Sequence, residues 1–178
     1  MTQAQRTLIL RILALAFVVG LSITLYLLRD RVRQLEGLGY TGIFLVSLLS
    51  SATLILPVPG VLFTSVMGAV FNPVWVALAA GSGAALGELS GYLAGFSGRG
   101  VVEKTEVHRK LESWMHRYGE VTVLVLAFIP NPLFDVAGMI AGALKMKLWR
   151  FLLFCWLGKV GKMLLFAYGG MGIFKLFP

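Results

Sequence analysis

The sequence predicts an all-α integral membrane protein with an inverted repeat: two re-entrant helical hairpins, each followed by a transmembrane helix, plus an N-terminal transmembrane helix and an amphipathic interfacial helix. Three observations support this fold class. Apolar residues make up 58% of the 178 residues, and the mean hydropathy of +0.85 exceeds what a soluble domain of this size could bury. Proline pairs interrupt two apolar regions. The chain also matches itself when it is shifted by 74 residues.

The N-terminal region, residues 1–36, is predicted to hold one transmembrane helix over residues 7–28 and a basic loop. Arg11 lies near the start of this helix, from where its side chain can snorkel to the lipid headgroups. Arg29, Arg31 and Arg33 follow its end. The segment is too long for a secretory signal and lacks a small-residue cleavage site, so we expect it to be retained.

The first repeat, about residues 40–97, begins in a region without charged side chains. Pro57, Pro59 and Gly60 divide its first part into two pieces, each shorter than the roughly 20 residues that span a bilayer. A hairpin that enters and leaves on the same side fits these lengths. A spanning helix over 74–96 follows, and its glycines at four-residue spacing allow another helix, within the chain or in a homodimer, to approach closely: Gly83, Gly87, Gly91 and Gly95.

Residues 98–118 combine basic side chains with apolar ones at helical spacing, which predicts an amphipathic helix in the membrane interface, with a loop as the alternative. The second repeat, residues 119–172, contains the second hairpin around Pro130, Asn131 and Pro132. A last span over about 148–170 carries Lys159 and Lys162 on one face.

The internal repeat predicts how the two halves are oriented. Gly68, Trp75 and Gly87 fall on Gly142, Trp149 and Gly161 at the shift of 74, and Pro57 and Pro59 fall on Pro130 and Pro132 at a shift of 73. Because a hairpin plus one span crosses the membrane once, the second copy must enter from the opposite face. Inverted repeats with broken helices are typical of transporters and place a site near the midplane, although a paired packing scaffold is the alternative.

Charge bias predicts the orientation of the chain. Most basic residues fall on the side of the N-terminus, the 98–118 segment and the turn near 145–150, which places the N-terminus in the cytoplasm. The size of the chain and the lack of a long soluble tail further suggest a prokaryotic plasma-membrane protein.

Four charged residues within the apolar segments are candidate functional residues. Asp135 follows the second proline break and should lie at the start of a helix, where the helix dipole favours its charge, or act only as an N-cap. Glu88 and Lys162 are equivalent in the two repeats. They are expected to pair with each other or to contact lipid headgroups. Lys159 and Lys162 together would attract a lipid phosphate, unless Lys159 snorkels.

Other chemistries find little support in the sequence. Cys155 is the single cysteine and the two histidines lie in a charged loop, so we expect neither a disulfide nor a metal site. The net charge of +8 is spread around apolar segments, which favours anionic lipid over nucleic acid. No nucleotide-binding motif or catalytic constellation is evident, so we expect neither a cofactor nor an enzyme.

The run from Phe128 to Gly138, with Gly142 and the segment Leu157 to Lys159, resembles the DedA, or VTT-domain, superfamily, most strongly its vacuole-membrane-protein branch. The resemblance covers about residues 40–172 and implies a domain over 37–178. It also implies two facing re-entrant hairpins and lipid movement between leaflets, with Pro57, Pro59, Pro130, Asn131 and Pro132 lining the path. Bacterial members carry acids in the first hairpin and arginines near the second proline motif, which this sequence lacks.

The sequence therefore favours a lipid scramblase or flippase that works without ATP on phospholipids or polyprenyl-phosphate lipids. The polar path would comprise Asp135, Glu88, Lys162 and Lys159, because polar groups are costly in hydrocarbon unless stabilised. A proton- or ion-coupled small-solute transporter is the alternative, and a scaffold for other membrane proteins is a third possibility.

Overall fold

The computed structural model describes residues 36–52, 60–97, 106–131 and 133–176. The described residues form α-helices and no strand, as the fold class predicts. The helices are α1 (Glu36–Ala52), α2 (Gly60–Val70), α3 (Pro73–Gly87), α4 (Leu89–Phe96), α5 (Glu106–Phe128), α6 (Leu133–Ala143) and α7 (Leu148–Leu176). The predicted N-terminal helix and basic loop lie outside the described residues, as do Pro57, Pro59 and Pro132.

The helices follow the predicted order of the two repeats. In the first repeat, α1 and α2 form the two arms of the hairpin, and α3 and α4 form the span after it. In the second repeat, the arms are the second half of α5 and the whole of α6, and the span is α7. Within the described residues, Leu148–Gly172 is the one helix long and apolar enough to span a membrane. The apolar helices Gly39–Ala52, Gly60–Val70 and Leu133–Ala143 are shorter. Re-entry of the hairpins into the bilayer stays a prediction.

The two repeats exchange their second hairpin arms. Helix α2 packs along α7 of the other repeat, and α6 packs along α4, while α1 and α5 pack on the long helices of their own repeats. The indole nitrogen of Trp156 donates a 2.8 Å hydrogen bond to the hydroxyl of Ser82, 74 residues earlier. These two positions are equivalent in the repeat, and equivalent positions touch only close to a two-fold axis. The packing therefore supports an inverted relation between the repeats.

Glycines allow the exchanged arms to approach at backbone distance. A Cβ added to Gly95 of α4 would overlap the carbonyl of Met139 in α6, and one added to Gly142 would overlap the carbonyl of Tyr92. Glycines in α2 and α7 do the same at the other crossing, where Gly68 faces Ala167 and Gly170 faces Ser65. Both crossings are thus small-residue contacts of the kind that holds membrane helices together.

The predicted glycine ladder serves three different contacts. Gly83 and Gly87 face the backbone of α1, and Gly95 faces α6. Gly91 differs, because an added Cβ would lie 3.8 Å from the carbonyl oxygen of Asp135, an ordinary contact distance. Every one of these contacts is internal to the chain.

The span predicted over 74–96 is divided into α3 and α4 by a turn at Glu88. The backbone of Glu88 has φ −66° and ψ −12°, and its N–H bonds both to Ala84, in the helical pattern, and to Leu86. The hydroxyl of Ser90 donates a 2.9 Å hydrogen bond to the carbonyl of Gly87. The angles of Glu88 stay in the right-handed helical region, so the turn is a local irregularity of the span, and the residue pattern alone did not predict it.

Helix α5 joins the predicted interfacial segment to the first arm of the second hairpin. Tyr118, with φ −138° and ψ 41°, interrupts its helical geometry. The hydroxyl of Thr122 donates to the carbonyl of Trp114 at 3.3 Å across this kink. The kink falls where the predicted interfacial segment ends, so the change of environment that the sequence predicts would coincide with a change of helix direction.

The glycine crossing predicts unequal effects at two equivalent positions of the repeat. We expect Gly95→Ala to lower the free energy of unfolding by about 1–3 kcal/mol, because the new methyl group must displace the backbone of Met139. Thermal unfolding of the purified protein in detergent measures this change.

Gly169→Ala is the matched control, since Gly169 is the repeat equivalent of Gly95 and an added Cβ there meets nothing within 4 Å among the described residues. We expect its unfolding temperature to be unchanged or slightly higher, because alanine favours helix. Equal losses of stability in the two variants would contradict the close crossing at Gly95.

Candidate functional site

A buried ion pair joins the two repeats. Glu88 lies at the turn between α3 and α4, and its carboxylate accepts a 2.5 Å hydrogen bond from the ammonium of Lys159, in the middle of α7. The two residues are only 4% and 7% exposed. The ammonium of Lys159 also lies 4.7 Å from the ring centre of Phe134 in α6, at cation–π distance. Three helices thus surround a single charge pair.

The structure corrects the predicted partner of Glu88. The repeat equivalence suggested Lys162, but the ion pair forms with Lys159, one helical turn earlier on α7. Lys162 is also buried, at 8% exposure, and has no carboxylate within 4.0 Å in the described part of the chain. Equivalent positions need not touch when they lie away from the two-fold axis, which passes near Ser82 and Trp156.

Lys162 instead lines a groove between the repeats. The groove has a volume of about 460 Å³. Lys162 is the only charged side chain among the described residues that line it, which otherwise are Ser65, Phe128, Ile129, Pro130, Leu165, Phe166, Gly169 and Gly170. These residues come from α2, α7 and the tip of the second hairpin. A cation therefore faces a groove whose walls are mostly apolar.

Asn131 organises the tip of the second hairpin. Its side-chain oxygen accepts the N–H of Leu133 at 2.9 Å, and its side-chain nitrogen donates to the carbonyls of Leu126 and Ile129 at 3.0 and 2.8 Å. The same side chain therefore caps the start of α6 and closes the end of α5. Pro130 beside it is exposed. The sequence predicted that this break is functional, but the capping role of Asn131 was missed.

Asp135 lies in the first turn of α6, as predicted. Its side chain is partly buried and has no ion-pair partner within 4.0 Å among the described residues. The N-capping bond comes from Asn131 and not from Asp135. The dipole of α6 is the feature that favours a negative charge at this position.

The four charged residues balance one another. Glu88 and Asp135 supply two carboxylates, and Lys159 and Lys162 supply two ammonium groups. When all four groups are ionised, the set carries no net charge, which limits the cost of placing it in the low-dielectric interior. No cluster of potential metal ligands occurs within the described ranges. Cys155 is buried and not in a disulfide.

Two positioning contacts were missed by sequence reasoning. The Trp156–Ser82 bond could have been found, because the two residues are equivalent at the repeat shift. Tyr92 donates its hydroxyl to the carbonyl of Met146 and its ring lies 5.0 Å from that of Phe151. Nothing in the local sequence marks this second contact, which joins α4 to the turn between α6 and α7.

The fold and the site define an α-helical membrane protein with an internal repeat and a charged centre between its halves. Residues 58–172 match the VTT domain, and the chain belongs to the VTT-domain family. The vacuole membrane protein KMS1 of Arabidopsis thaliana is 39% identical over 72 residues, which cover 40% of this chain and 17% of that protein. KMS2 of the same plant is 37% identical over 54 residues, 28% and 13% of the two chains. No solved structure matches.

The family confirms the predicted resemblance and a membrane location. The aligned segments are less than a fifth of the length of these plant relatives, so the activity of the whole relatives does not transfer directly. The predicted prokaryotic plasma-membrane location has no support from them, because both are named as vacuole membrane proteins.

The ion pair predicts strong coupling between Glu88 and Lys159. We expect Glu88→Gln or Lys159→Met alone to lower the free energy of unfolding by about 3 kcal/mol or more, because each leaves a buried charge unpaired. The double variant should recover most of this loss. Chemical unfolding of the four proteins in detergent gives the coupling free energy.

The exposed pair between Arg150 and Glu120, at 2.8 Å, is the control. Removing either partner there should cost at most about 1 kcal/mol, because both side chains are hydrated. A Glu88/Lys159 double variant no more stable than the worse single variant would contradict a direct buried pair.

Proposed function

We propose that this protein moves lipids between the two leaflets without ATP, as a scramblase or flippase for phospholipids or polyprenyl-phosphate lipids. The observation that carries the proposal is the placement of Lys162 in a mostly apolar groove beside the second hairpin tip. A lipid has the same division of chemistry, with a phosphate in its headgroup and hydrocarbon in its tails. The groove therefore matches a lipid better than a fully polar solute.

Lys162 is better suited to a phosphate than Lys159. The ammonium of Lys159 is engaged with Glu88 and faces Phe134, whereas Lys162 has no carboxylate within 4.0 Å in the described ranges. A charge-assisted hydrogen bond from Lys162 would lower the cost of moving a phosphate past the hydrocarbon layer. Lys159 and Glu88 would then form the fixed neutral pair behind the path.

Asp135 supplies the negative charge that complements Lys162 in this proposal. A zwitterionic headgroup carries an ammonium as well as a phosphate, and the Asp135 carboxylate can attract that ammonium at the start of α6. Pro130 and Asn131 would form the rim of the path at the hairpin tip. The tails would stay in hydrocarbon beside the apolar wall of the groove, which Leu165 and Phe166 help to form.

The proposal assigns no catalytic residue and no cofactor, and it treats membrane lipids, not nucleic acid, as the partner. The positive charge bias supports a cytoplasmic N-terminus. The close glycine contacts form within one chain and need no second copy, so a homodimer is a separate proposal.

Lipid movement predicts a specific loss in Lys162→Gln. The purified protein is reconstituted in liposomes that carry a fluorescent phospholipid in both leaflets, and dithionite then quenches the probe that reaches the outer leaflet. We expect the variant to be about tenfold slower than wild type, because loss of a charge-assisted bond of about 1.5 kcal/mol raises the barrier.

Lys110→Gln is the matched control, since Lys110 is exposed on α5 and does not line the groove among the described residues. It should scramble at the wild-type rate. If wild type leaves the inner-leaflet probe protected for every headgroup tested, including a polyprenyl phosphate, the proposal fails.

The second candidate function is a proton- or ion-coupled small-solute transporter. The buried Glu88 and the partly buried Asp135 favour it, because acids inside a membrane protein often relay protons. A pH gradient across the same liposomes, followed with an internal pH dye, tests it. A proton flux that Asp135→Asn abolishes, without probe scrambling, would replace the lipid proposal with this one.

A further inference from the structure

A second cavity lies apart from the groove and the ion pair. It has a volume of about 570 Å³ and is bounded by the kink of α5 near Tyr118, the turn between α6 and α7, and the start of α7. None of its described lining residues belongs to the groove that contains Lys162. The proposed lipid path therefore does not account for it.

The rim of this second cavity is basic. Arg117, Lys147 and Arg150 line it, and Glu120 is the only carboxylate among its described lining residues. Glu120 is already engaged by Arg150 at 2.8 Å. Neither Arg117 nor Lys147 has a carboxylate within 4.0 Å in the described part of the chain. The cavity thus has an excess of two positive charges, which favours an anion.

The base of the same cavity is apolar. Ala141 and Met115 are buried beneath the basic rim, and Leu144 and Met146 also line it. Contact with this apolar surface would not favour binding of a free inorganic anion, because the contact would only remove the hydration of the anion. A ligand with a phosphate at one end and hydrocarbon at the other fits both parts of the cavity.

Exposed aromatic side chains accompany the basic ones at the cavity. Tyr118 lines it, and Trp149 precedes the lining residue Arg150; the two aromatic residues are 57% and 60% exposed. The guanidinium groups of Arg117 and Arg150 lie 5.4 and 5.3 Å from the rings of these two residues. Exposed tyrosine and tryptophan beside arginine are typical of the headgroup region, where one end of the side chain is wet and the other apolar.

The turn that presents Lys147 is fixed in place. The N–H groups of Lys145 and Met146 bond to the carbonyls of Gly142 and Ala141 at 2.9 and 3.0 Å, which closes α6 in a Schellman arrangement. Lys145 takes the left-handed φ of 53° that this arrangement requires. The hydroxyl of Tyr92 bonds the carbonyl of Met146 from below. The backbone turn that carries Lys147 is therefore fixed before a ligand binds, which reduces the cost of binding.

We propose that this cavity binds the phosphate-bearing headgroup of an anionic phospholipid from the membrane surface, at a site separate from the groove at Lys162. The proposal does not depend on lipid movement, because it concerns equilibrium binding. Its arginine and lysine groups would contact the phosphate, and the apolar base would contact the first part of an acyl chain.

The test measures the affinity of the purified full chain for fluorescent phosphatidylglycerol in zwitterionic detergent micelles by microscale thermophoresis, with fluorescent phosphatidylcholine for comparison. We expect wild type to prefer phosphatidylglycerol. The double variant Arg117→Gln/Lys147→Gln should bind it about tenfold more weakly, since each basic group near the surface contributes to the attraction of an anionic lipid.

Glu120→Gln tests the proposal by an expected gain of affinity instead of a loss. It removes the one carboxylate among the described lining residues and frees Arg150, so affinity should rise about threefold. The double variant Arg109→Gln/Lys110→Gln, which removes exposed charges of the same helix outside the cavity, should match wild type. Thermal unfolding checks that every variant is folded.

Three results would overturn the proposal. Equal weakening in the two double variants would mean diffuse surface attraction. Loss of binding in Lys162→Gln, with none in Arg117→Gln/Lys147→Gln, would place the lipid in the groove. Equal affinity for the two lipids, no change of either affinity in Glu120→Gln, and competition by inorganic phosphate at constant ionic strength would together mean that the cavity binds a free anion.

Discussion

The second arm of each hairpin lies at backbone distance from a helix of the other repeat, α6 from α4 and α2 from α7, and the positions of the site residues depend on these contacts. Gly95 and Gly142 make it possible at one crossing, and Gly68 and Gly170 at the other, because any side chain there would meet a carbonyl group. In lipid, burial of apolar side chains contributes little free energy to helix association, because the lipid tails are equally apolar. Close packing of the backbones therefore stabilises these contacts. Both crossings then hold Glu88, Asp135 and Lys159 on neighbouring helices.

The buried ion pair is the costly part of this arrangement. Glu88 and Lys159 must leave water on folding, and their attraction and the ring of Phe134 offset that cost only while both partners are present. A pair of apolar residues could fill the same space, so stability alone does not explain why charges occupy it. In the proposed function, the pair keeps a polar surface behind Lys162 while it contributes no net charge.

The two cationic sites differ in depth and in surroundings. Lys162 is buried and faces a groove whose walls are mostly apolar, which suits a headgroup in passage. Arg117 and Lys147 are exposed, next to the exposed Tyr118 and Trp149, which suits a headgroup that stays in the interface. The turn held by Tyr92 connects the second site to α4, and so to the helix that begins beside Glu88.

The sequence by itself determined the helical class, the membrane environment, the repeat and the family, because hydropathy, proline breaks and self-similarity are local or periodic signals. It also identified the buried charges, since such residues are rare in apolar segments. Only the tertiary structure decided that Glu88 pairs with Lys159, that Asn131 caps α6, and that Lys147 and Arg117 share a cavity. These contacts depend on the angle and register at which helices cross. A shift of one helical turn, about 5.4 Å, changes the partner without changing the sequence pattern.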